Sequence, residues 1–245
     1  MAKFSNKYLQ EFKKLESKLK EISGPGSNNL PFREVLKKAK NKNSIIEFNE
    51  DIIDDLYGLR NVVAHADREK YIAEINQLAF DKINKILSLL RNPPTVIDVF
   101  KTNVFTVNTN NITEVVIKTM QENLYTHVPV YEDNSFIGAL SETTILEWLV
   151  ENINKGEAQF YKQIVGKINR KYLNSLNNLY KFVLPNLNIF EVLKIFEDHL
   201  RRGKRLGVIF ITPNGKKDEK PVGIITAWDL PKIKETFKIK ETLKK

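Results

Sequence analysis

Two stretches in the C-terminal part of the chain repeat one order of predicted elements: a β-branched run, a segment with helical periodicity, two further β-branched runs and a closing helix. The first stretch predicts strands at 104–107, 127–131 and 136–140, with helices at 112–123 and through Ile145 and Leu149. The second predicts strands at 182–184, 207–211 and 222–225, with helices at 189–201 and from Trp228 onward. Gly138 and Gly223 fall inside the third strand of their stretch. This self-similarity indicates a duplicated β-α-β-β-α unit.

The residues before Pro93 and Pro94 follow a different pattern, in which apolar side chains recur at steps of three and four, as on one face of a helix. Four helices are predicted: one through Phe4, Tyr8, Phe12, Leu15, Leu19 and Ile22; one over 32–40; one through Ile52, Leu56, Leu59 and Val63; and one through Ile72, Ile75, Ala79, Ile83, Ile86 and Leu90. We therefore expect an α+β multidomain protein, with an N-terminal four-helix bundle at 1–92 and a tandem β-α-β-β-α domain at 96–245. Repeat one is expected at about 96–152, a helical connector at about 153–180 and repeat two at about 181–240.

Composition narrows the classes of chemistry that the chain supports. The absence of Cys excludes disulfides, thiolate nucleophiles and thiolate metal sites. No apolar run approaches the roughly 18 residues of a membrane span, and the N-terminus lacks the apolar core of a signal peptide, so we expect a cytoplasmic protein with no membrane partner. The net charge of +9 favours a polyanionic partner such as nucleic acid or a nucleotide phosphate; a solvated Lys-rich surface is the alternative.

The second repeat closes on the segment PVGIITAWDL, and the repeated unit resembles a tandem pair of cystathionine-β-synthase (CBS) domains. In that family the third strand ends in Gly, apolar residues, Ser or Thr, two variable residues and Asp, a pattern that Gly223, Thr226 and Asp229 match. The resemblance implies an adenine nucleotide (AMP, ADP or ATP), with its phosphate at Thr226, its ribose at Asp229 and its base near Val183 and Leu184. A helix N-terminus is also suited to phosphate. The alternative is that Thr226 caps the closing helix, Asp229 adds favourable charge to its first turn, and Val183 and Leu184 are core residues.

The first repeat departs from this pattern. Ser141 keeps the hydroxyl, but Thr144 stands where the family has the carboxylate, so Ser141 is a weak candidate and one occupied site per pair is expected. His127 begins a strand that the family commonly places facing the cleft; a packed or surface His is the alternative.

On the third predicted helix, Arg60 precedes His65 by five positions, and Asn61 directly follows Arg60. Within a helical bundle this motif resembles the HEPN family (higher eukaryotes and prokaryotes nucleotide-binding), whose ribonucleases carry Arg, four to six residues, then His. The resemblance implies a metal-independent endoribonuclease formed between two copies in a homodimer, and it makes an antitoxin-like partner conceivable. His65 would transfer the proton of a ribose 2′-hydroxyl, and Arg60 would neutralise the scissile phosphate.

Helical geometry qualifies that interpretation. Arg60 and His65 differ by about 140° in direction, so they converge only if the Arg side chain curls or a second subunit contributes. Asn61 lies four positions before His65, shares its face and could orient the imidazole. The leading hypothesis is that a nucleotide on the C-terminal pair regulates an N-terminal RNA-cleaving domain. The alternative is a noncatalytic adenine-nucleotide sensor whose bundle mediates dimerisation or binds a partner or RNA.

Overall fold

The structure is a computed structural model that describes residues 2–64, 75–156, 159–175, 179–237 and 239. The chain divides into two compact units, one formed by Met1–Pro94 with Pro231–Lys245 and the other by Thr95–Leu230. The residues from Pro231 onward, which the sequence analysis assigned to the second repeat, group with the N-terminal unit.

Up to Pro94, the described part of the N-terminal unit forms five helices: α1 (Ala2–Ser23), α2 (Phe32–Lys40), α3 (Ser44–Phe48), α4 (Glu50–Ala64) and α5 (Gln77–Arg91). The short helix α3 was not predicted; it forms because the Asn43 side chain accepts hydrogen bonds from the N–H groups of Ile45 and Ile46, at 3.0 and 3.3 Å. The helix α5 begins where Asn76 caps it, and the predicted start at Ile72 lies outside the described residues.

Helix α1 supplies a fully buried stripe to the core of this unit, made by Tyr8, Phe12, Leu15 and Leu19. The Phe12 ring lies 5.4 Å from the ring of Phe32 in α2 and 6.2 Å from that of Tyr57 in α4. The Tyr8 hydroxyl donates a hydrogen bond to the Leu56 carbonyl at 2.7 Å, and burial raises the pKa of Tyr8. An apolar stripe with one satisfied polar group thus joins α1, α2 and α4.

The second unit alternates strands and helices. Its described elements are α6 (Val96–Phe100), β1 (Val107–Asn108), α7 (Thr113–Glu122), β2 (His127–Glu132), β3 (Ser135–Ser141), α8 (Glu142–Asn154), α9 (Arg170–Leu173), β4 (Leu179–Val183), α10 (Ile189–Arg201), β5 (Leu206–Ile211) and β6 (Gly223–Thr226). The last strand leads into α11 (Leu230–Phe237), which groups with the N-terminal unit from Pro231 onward. The described strands form two three-stranded sheets, ordered β1-β2-β3 and β4-β5-β6. In each sheet the first pair is parallel and the second antiparallel.

The two sheets share a small aromatic core. Phe136 from β3 meets the rings of Phe182 and Phe210 edge-on, at 5.0 and 6.0 Å between centroids. Ala139 and Val208 belong to the same buried cluster. The repeats are therefore packed face to face, as edge-to-face aromatic contacts and area burial both favour.

The prediction of a helical connector was wrong for most of residues 159–175. This segment contains two 3₁₀ turns, at Phe160–Lys162 and Val165–Lys167, and the single-turn helix α9. Its apolar residues Val165, Ile168 and Leu173 are buried in the core of the first repeat. The N–H groups of Val165 and Gly166 bond to carbonyls of the first repeat, at 2.9 and 2.8 Å, so they are not available to a continuous helix.

Candidate functional site

The turn after β6 holds Thr226 and Asp229 against each other. The backbone N–H of Thr226 donates to Asp229 Oδ2 at 2.8 Å, and the Thr226 hydroxyl donates to the same oxygen at 3.0 Å. Among the described residues, no hydrogen bond ends on Asp229 Oδ1. Both residues are half-buried, whereas Trp228 between them is 81% exposed. The pair is a capping box in which Oδ2 accepts both bonds and Oδ1 accepts none from the described residues.

The strand register shows which residues share this end of the sheet. Thr226 pairs with Val208, and Val208 pairs with Tyr180, so Leu179 and Tyr180 are level with the turn. Val183 is three residues further along β4, roughly 10 Å at the rise of an extended strand. It is buried, and Leu184 beyond it is exposed. The structure therefore brings Leu179 and Tyr180, rather than Val183 and Leu184, to the end of the sheet that carries Thr226.

In the first repeat the equivalent turn is closed. Ser141 and Thr144 are almost fully buried, and their hydroxyls are hydrogen-bonded to each other at 3.0 Å. The Thr144 hydroxyl also donates to the Tyr172 carbonyl of the connector at 3.3 Å. The first repeat thus lacks the carboxylate, and its hydroxyls are already satisfied by the protein.

The backbone of another segment passes directly over each of the two glycines, Gly138 and Gly223. A Cβ on Gly138 would come within 2.5 Å of Leu173 Cβ and 2.7 Å of the Leu173 carbonyl oxygen. A Cβ on Gly223 would collide with the Phe100 carbonyl oxygen, and Lys101 pairs with Gly223 in an isolated bridge. Glycine at both positions allows this close backbone approach.

His127 packs where the two repeats meet. Its ring contacts the position that a Cβ on Gly207 would occupy, and Nδ1 lies 3.0 Å from the Thr126 hydroxyl. The residue is half-buried. This arrangement fits a packing role, which was the alternative to a cleft-facing histidine.

In the N-terminal unit, Arg60 and Asn61 lie in the last turns of α4 and are both half-buried. Arg60 Nη1 donates to Asn61 Oδ1 at 2.9 Å. Within the described ranges Arg60 forms no ion pair. His65 lies outside the described residues, so the structure shows Asn61 bonded to Arg60 and does not describe an imidazole beside it.

Comparison with known proteins identifies one part of the chain. Residues 96–151 match the CBS domain model. The match spans the first repeat, from α6 into α8, and confirms the CBS resemblance there. The sequence matches no curated protein. The family match therefore concerns residues 96–151.

Solved structures, some of them of CBS-domain proteins, are similar to a larger part of the chain. They include AcuB from Vibrio cholerae (17% identity, TM-score 0.44, covering 59% of this chain and 92% of that one). A CBS-domain protein from Burkholderia ambifaria is 20% identical (TM-score 0.41, 57% and 92%). CBSX2, solved in complex with AMP, is 18% identical (TM-score 0.42, 59% and 98%).

No cluster of three or more His, Cys, Asp or Glu side chains suited to a metal ion occurs among the described residues. In the same part of the chain, every helix is too short or too polar to cross a membrane.

Proposed function

We propose that the second repeat is a regulatory site for an adenine nucleotide, with Asp229 binding the ribose. The observation that supports this most is that Asp229 Oδ1 accepts no hydrogen bond from the described residues. A carboxylate oxygen offers two lone pairs, so Oδ1 could accept the ribose hydroxyls while Oδ2 keeps its two capping bonds. The capping box and the ligand site are then compatible uses of one carboxylate.

Thr226 has a more limited role in this proposal. Its hydroxyl proton is already directed at Asp229 Oδ2, so the hydroxyl can donate to phosphate only by turning away from Asp229. The backbone N–H groups at the start of the closing helical segment are the other donors at this turn. We therefore assign the ribose contact to Asp229 and the phosphate to the turn backbone, with Thr226 assisting.

We further propose one nucleotide per chain, since Ser141 and Thr144 in the first repeat are buried and bonded to the protein. Calorimetric titration of the full chain with AMP, ADP and ATP measures both affinity and stoichiometry. Asp229→Asn preserves the shape of the turn and removes the charge. Hydrogen bonds to charged groups are worth about 1.5–3 kcal/mol, so its affinity should fall about 10- to 150-fold.

Glu142→Ala is the matched control, because Glu142 is an exposed carboxylate in the equivalent turn of the first repeat. It should bind the nucleotide as the wild type does. The ribose contact is tested with 2′-deoxy-AMP: the wild type should lose affinity relative to AMP, and Asp229→Asn should discriminate much less. Equal affinities of wild type and Asp229→Asn for every nucleotide would remove Asp229 from the site.

We also propose that the N-terminal unit is the domain controlled by this site, and that it cleaves RNA with Arg60 and His65 in a homodimer. The supporting observation is that Arg60 is only half-buried and has no acidic partner within the described ranges. A guanidinium with this freedom is available to a phosphate. Its bond to Asn61 would hold the side chain in place rather than neutralise it.

The test incubates labelled RNA with wild type, His65→Ala and Arg60→Ala in the presence of a metal chelator, with and without nucleotide. Cleavage by the wild type, but by neither His65→Ala nor Arg60→Ala, supports the proposal. Lys38→Ala, at an exposed basic position of α2, is the control and should cleave normally. Intact RNA in all samples would leave the alternative, a noncatalytic sensor whose bundle dimerises or binds a partner, and sedimentation of the full chain would then measure that dimer.

A further inference from the structure

The turn that follows α10 is the most basic exposed segment of the second unit. Arg202, Lys204 and Arg205 are all exposed within four residues. The turn is well defined: Gly203 has φ +66°, its N–H donates to the Leu200 carbonyl at 2.9 Å, and the Lys204 N–H donates to the His199 carbonyl at 2.9 Å. Three cations are thus held on one short, ordered turn.

No described residue neutralises these three cations. Arg202, Lys204 and Arg205 form no ion pair with any residue in the described ranges. The neighbouring Arg201 approaches Glu197 at 4.0 Å, but both side chains are more than half exposed. Exposed ion pairs of this kind contribute little stabilising free energy. The turn therefore presents a net positive surface to solvent.

An exposed aromatic side chain lies at the same end of the sheet. Val208 in β5 pairs with Thr226 in β6, and the two strands are antiparallel. Arg205 comes three residues before Val208, and Trp228 comes two residues after Thr226, so both lie beyond the last pair in the same direction. Trp228 is 81% exposed, an unusual exposure for so large an apolar side chain.

We propose that the basic turn 202–205 and Trp228 form a binding site for single-stranded nucleic acid. Cations that contact phosphates together with an aromatic ring on which a base stacks are the two components of such sites. A membrane surface is less well matched, because insertion requires a broad apolar face. The site is separate from the nucleotide site in its chemistry, since it requires neither Asp229 nor a free nucleotide.

The experiment measures fluorescence anisotropy of a labelled oligothymidylate of about 20 nucleotides with the full chain, free of nucleotide. Because DNA lacks the 2′-hydroxyl, any ribonuclease activity leaves the probe intact. Three phosphate contacts predict a slope of about −2 for log affinity against log salt, from about −0.7 per contact. Arg202→Glu with Lys204→Glu should reduce that slope to about −0.7 and weaken binding more than tenfold at low salt.

The matched control is Lys216→Glu with Lys217→Glu, which makes the same charge change at exposed positions between β5 and β6, the other end of the sheet. It should change the affinity less than threefold. Trp228→Ala should weaken binding about 5- to 150-fold and leave the salt slope unchanged, as expected for a lost stacking contact. Tyr161→Ala, at another exposed aromatic, should have no effect.

The proposal is overturned if both double reversals weaken binding equally, if Trp228→Ala binds as the wild type does, or if the protein binds anionic vesicles but not the oligonucleotide. Asp229→Asn separates this site from the proposed nucleotide site. It should retain oligonucleotide binding whether or not it binds nucleotide, so each proposal fails on its own measurement.

Discussion

Replacing Gly138 by Ala tests the close packing of the connector on the first repeat. Gly138 has φ +152°, which L side chains rarely adopt. A Cβ there would also lie 2.5 Å from Leu173 Cβ and 2.7 Å from the Leu173 carbonyl oxygen. The second contact is with backbone, which cannot move aside as a flexible side chain does. The substitution therefore combines backbone strain with overpacking.

The two contributions have separate magnitudes. A residue held in a sparsely populated backbone region costs about 1–3 kcal/mol, and an extra buried carbon in a packed interior costs about 1–3 kcal/mol. Gly138→Ala should therefore lower the free energy of unfolding of the second unit by about 2–6 kcal/mol. Gly156→Ala is the matched control, since Gly156 has φ +70° and no neighbour within 4 Å of an added Cβ. It should cost only about 1–2 kcal/mol, from backbone strain alone.

Urea unfolding followed by tryptophan fluorescence measures both variants. The chain has two Trp residues. Trp148 is buried in the same core cluster as Leu173, so a Trp228→Phe background makes Trp148 the only reporter and restricts the signal to the second unit. If Gly138→Ala costs no more than Gly156→Ala, the connector does not pack against Gly138 as closely as these distances indicate, and the reasoning is refuted.

Three further outcomes follow from single residues. Gly58→Ala, in the exposed interior of α4 with no neighbour within 4 Å, should stabilise the N-terminal unit by about 0.5–1 kcal/mol in thermal unfolding; an unchanged or lower stability would contradict the helix there. Hydrogen bonds from the Thr95 side chain and backbone lower the pKa of Asp98, so its stabilisation is present above the unfolded-state pKa and is lost as pH falls through the folded value. Asp98→Asn should flatten the acid limb of the stability profile, and an identical limb would refute this assignment. Burial raises the pKa of Tyr131 to about 12, so the stability that this residue contributes is present below about pH 10 and is lost as pH rises toward 12. Tyr131→Phe should remove that loss in alkaline unfolding curves, and an unaltered alkaline limb would count against this assignment.

Local sequence patterns predict the elements whose apolar side chains recur at one regular spacing. The helices α2 and α10 have the predicted bounds, because each presents an uninterrupted apolar face to its own core. The connector had apolar residues at similar spacing, but Val165 and Gly166 bond to backbone carbonyls of the first repeat. A hydrogen-bond partner so distant along the chain cannot be predicted from local periodicity.

The same limit applies to the candidate site. The missing carboxylate at Thr144 was visible in the sequence, but the Tyr172 carbonyl that satisfies the Thr144 hydroxyl is 28 residues away. Likewise, alternation identifies β4 but not its register, and a strand register decides whether Val183 or Tyr180 is level with Thr226. The sequence therefore predicts residue types for the candidate site, whereas the neighbours of those residues depend on long-range pairing.

Regulation by the second repeat requires that a bound nucleotide favour one of two arrangements of the chain. The candidate site adjoins the N-terminal unit in sequence. Asp229 is followed directly by α11, and the residues from Pro231 onward group with the N-terminal unit. A ligand that stabilises the Thr226–Asp229 turn would also stabilise the start of α11. Hydrogen exchange at the first amides of α11 should then slow on addition of nucleotide in wild type and remain unchanged in Asp229→Asn. If exchange in α11 is insensitive to a nucleotide that demonstrably binds, this helix does not transmit the signal, and the regulatory proposal loses its most direct route.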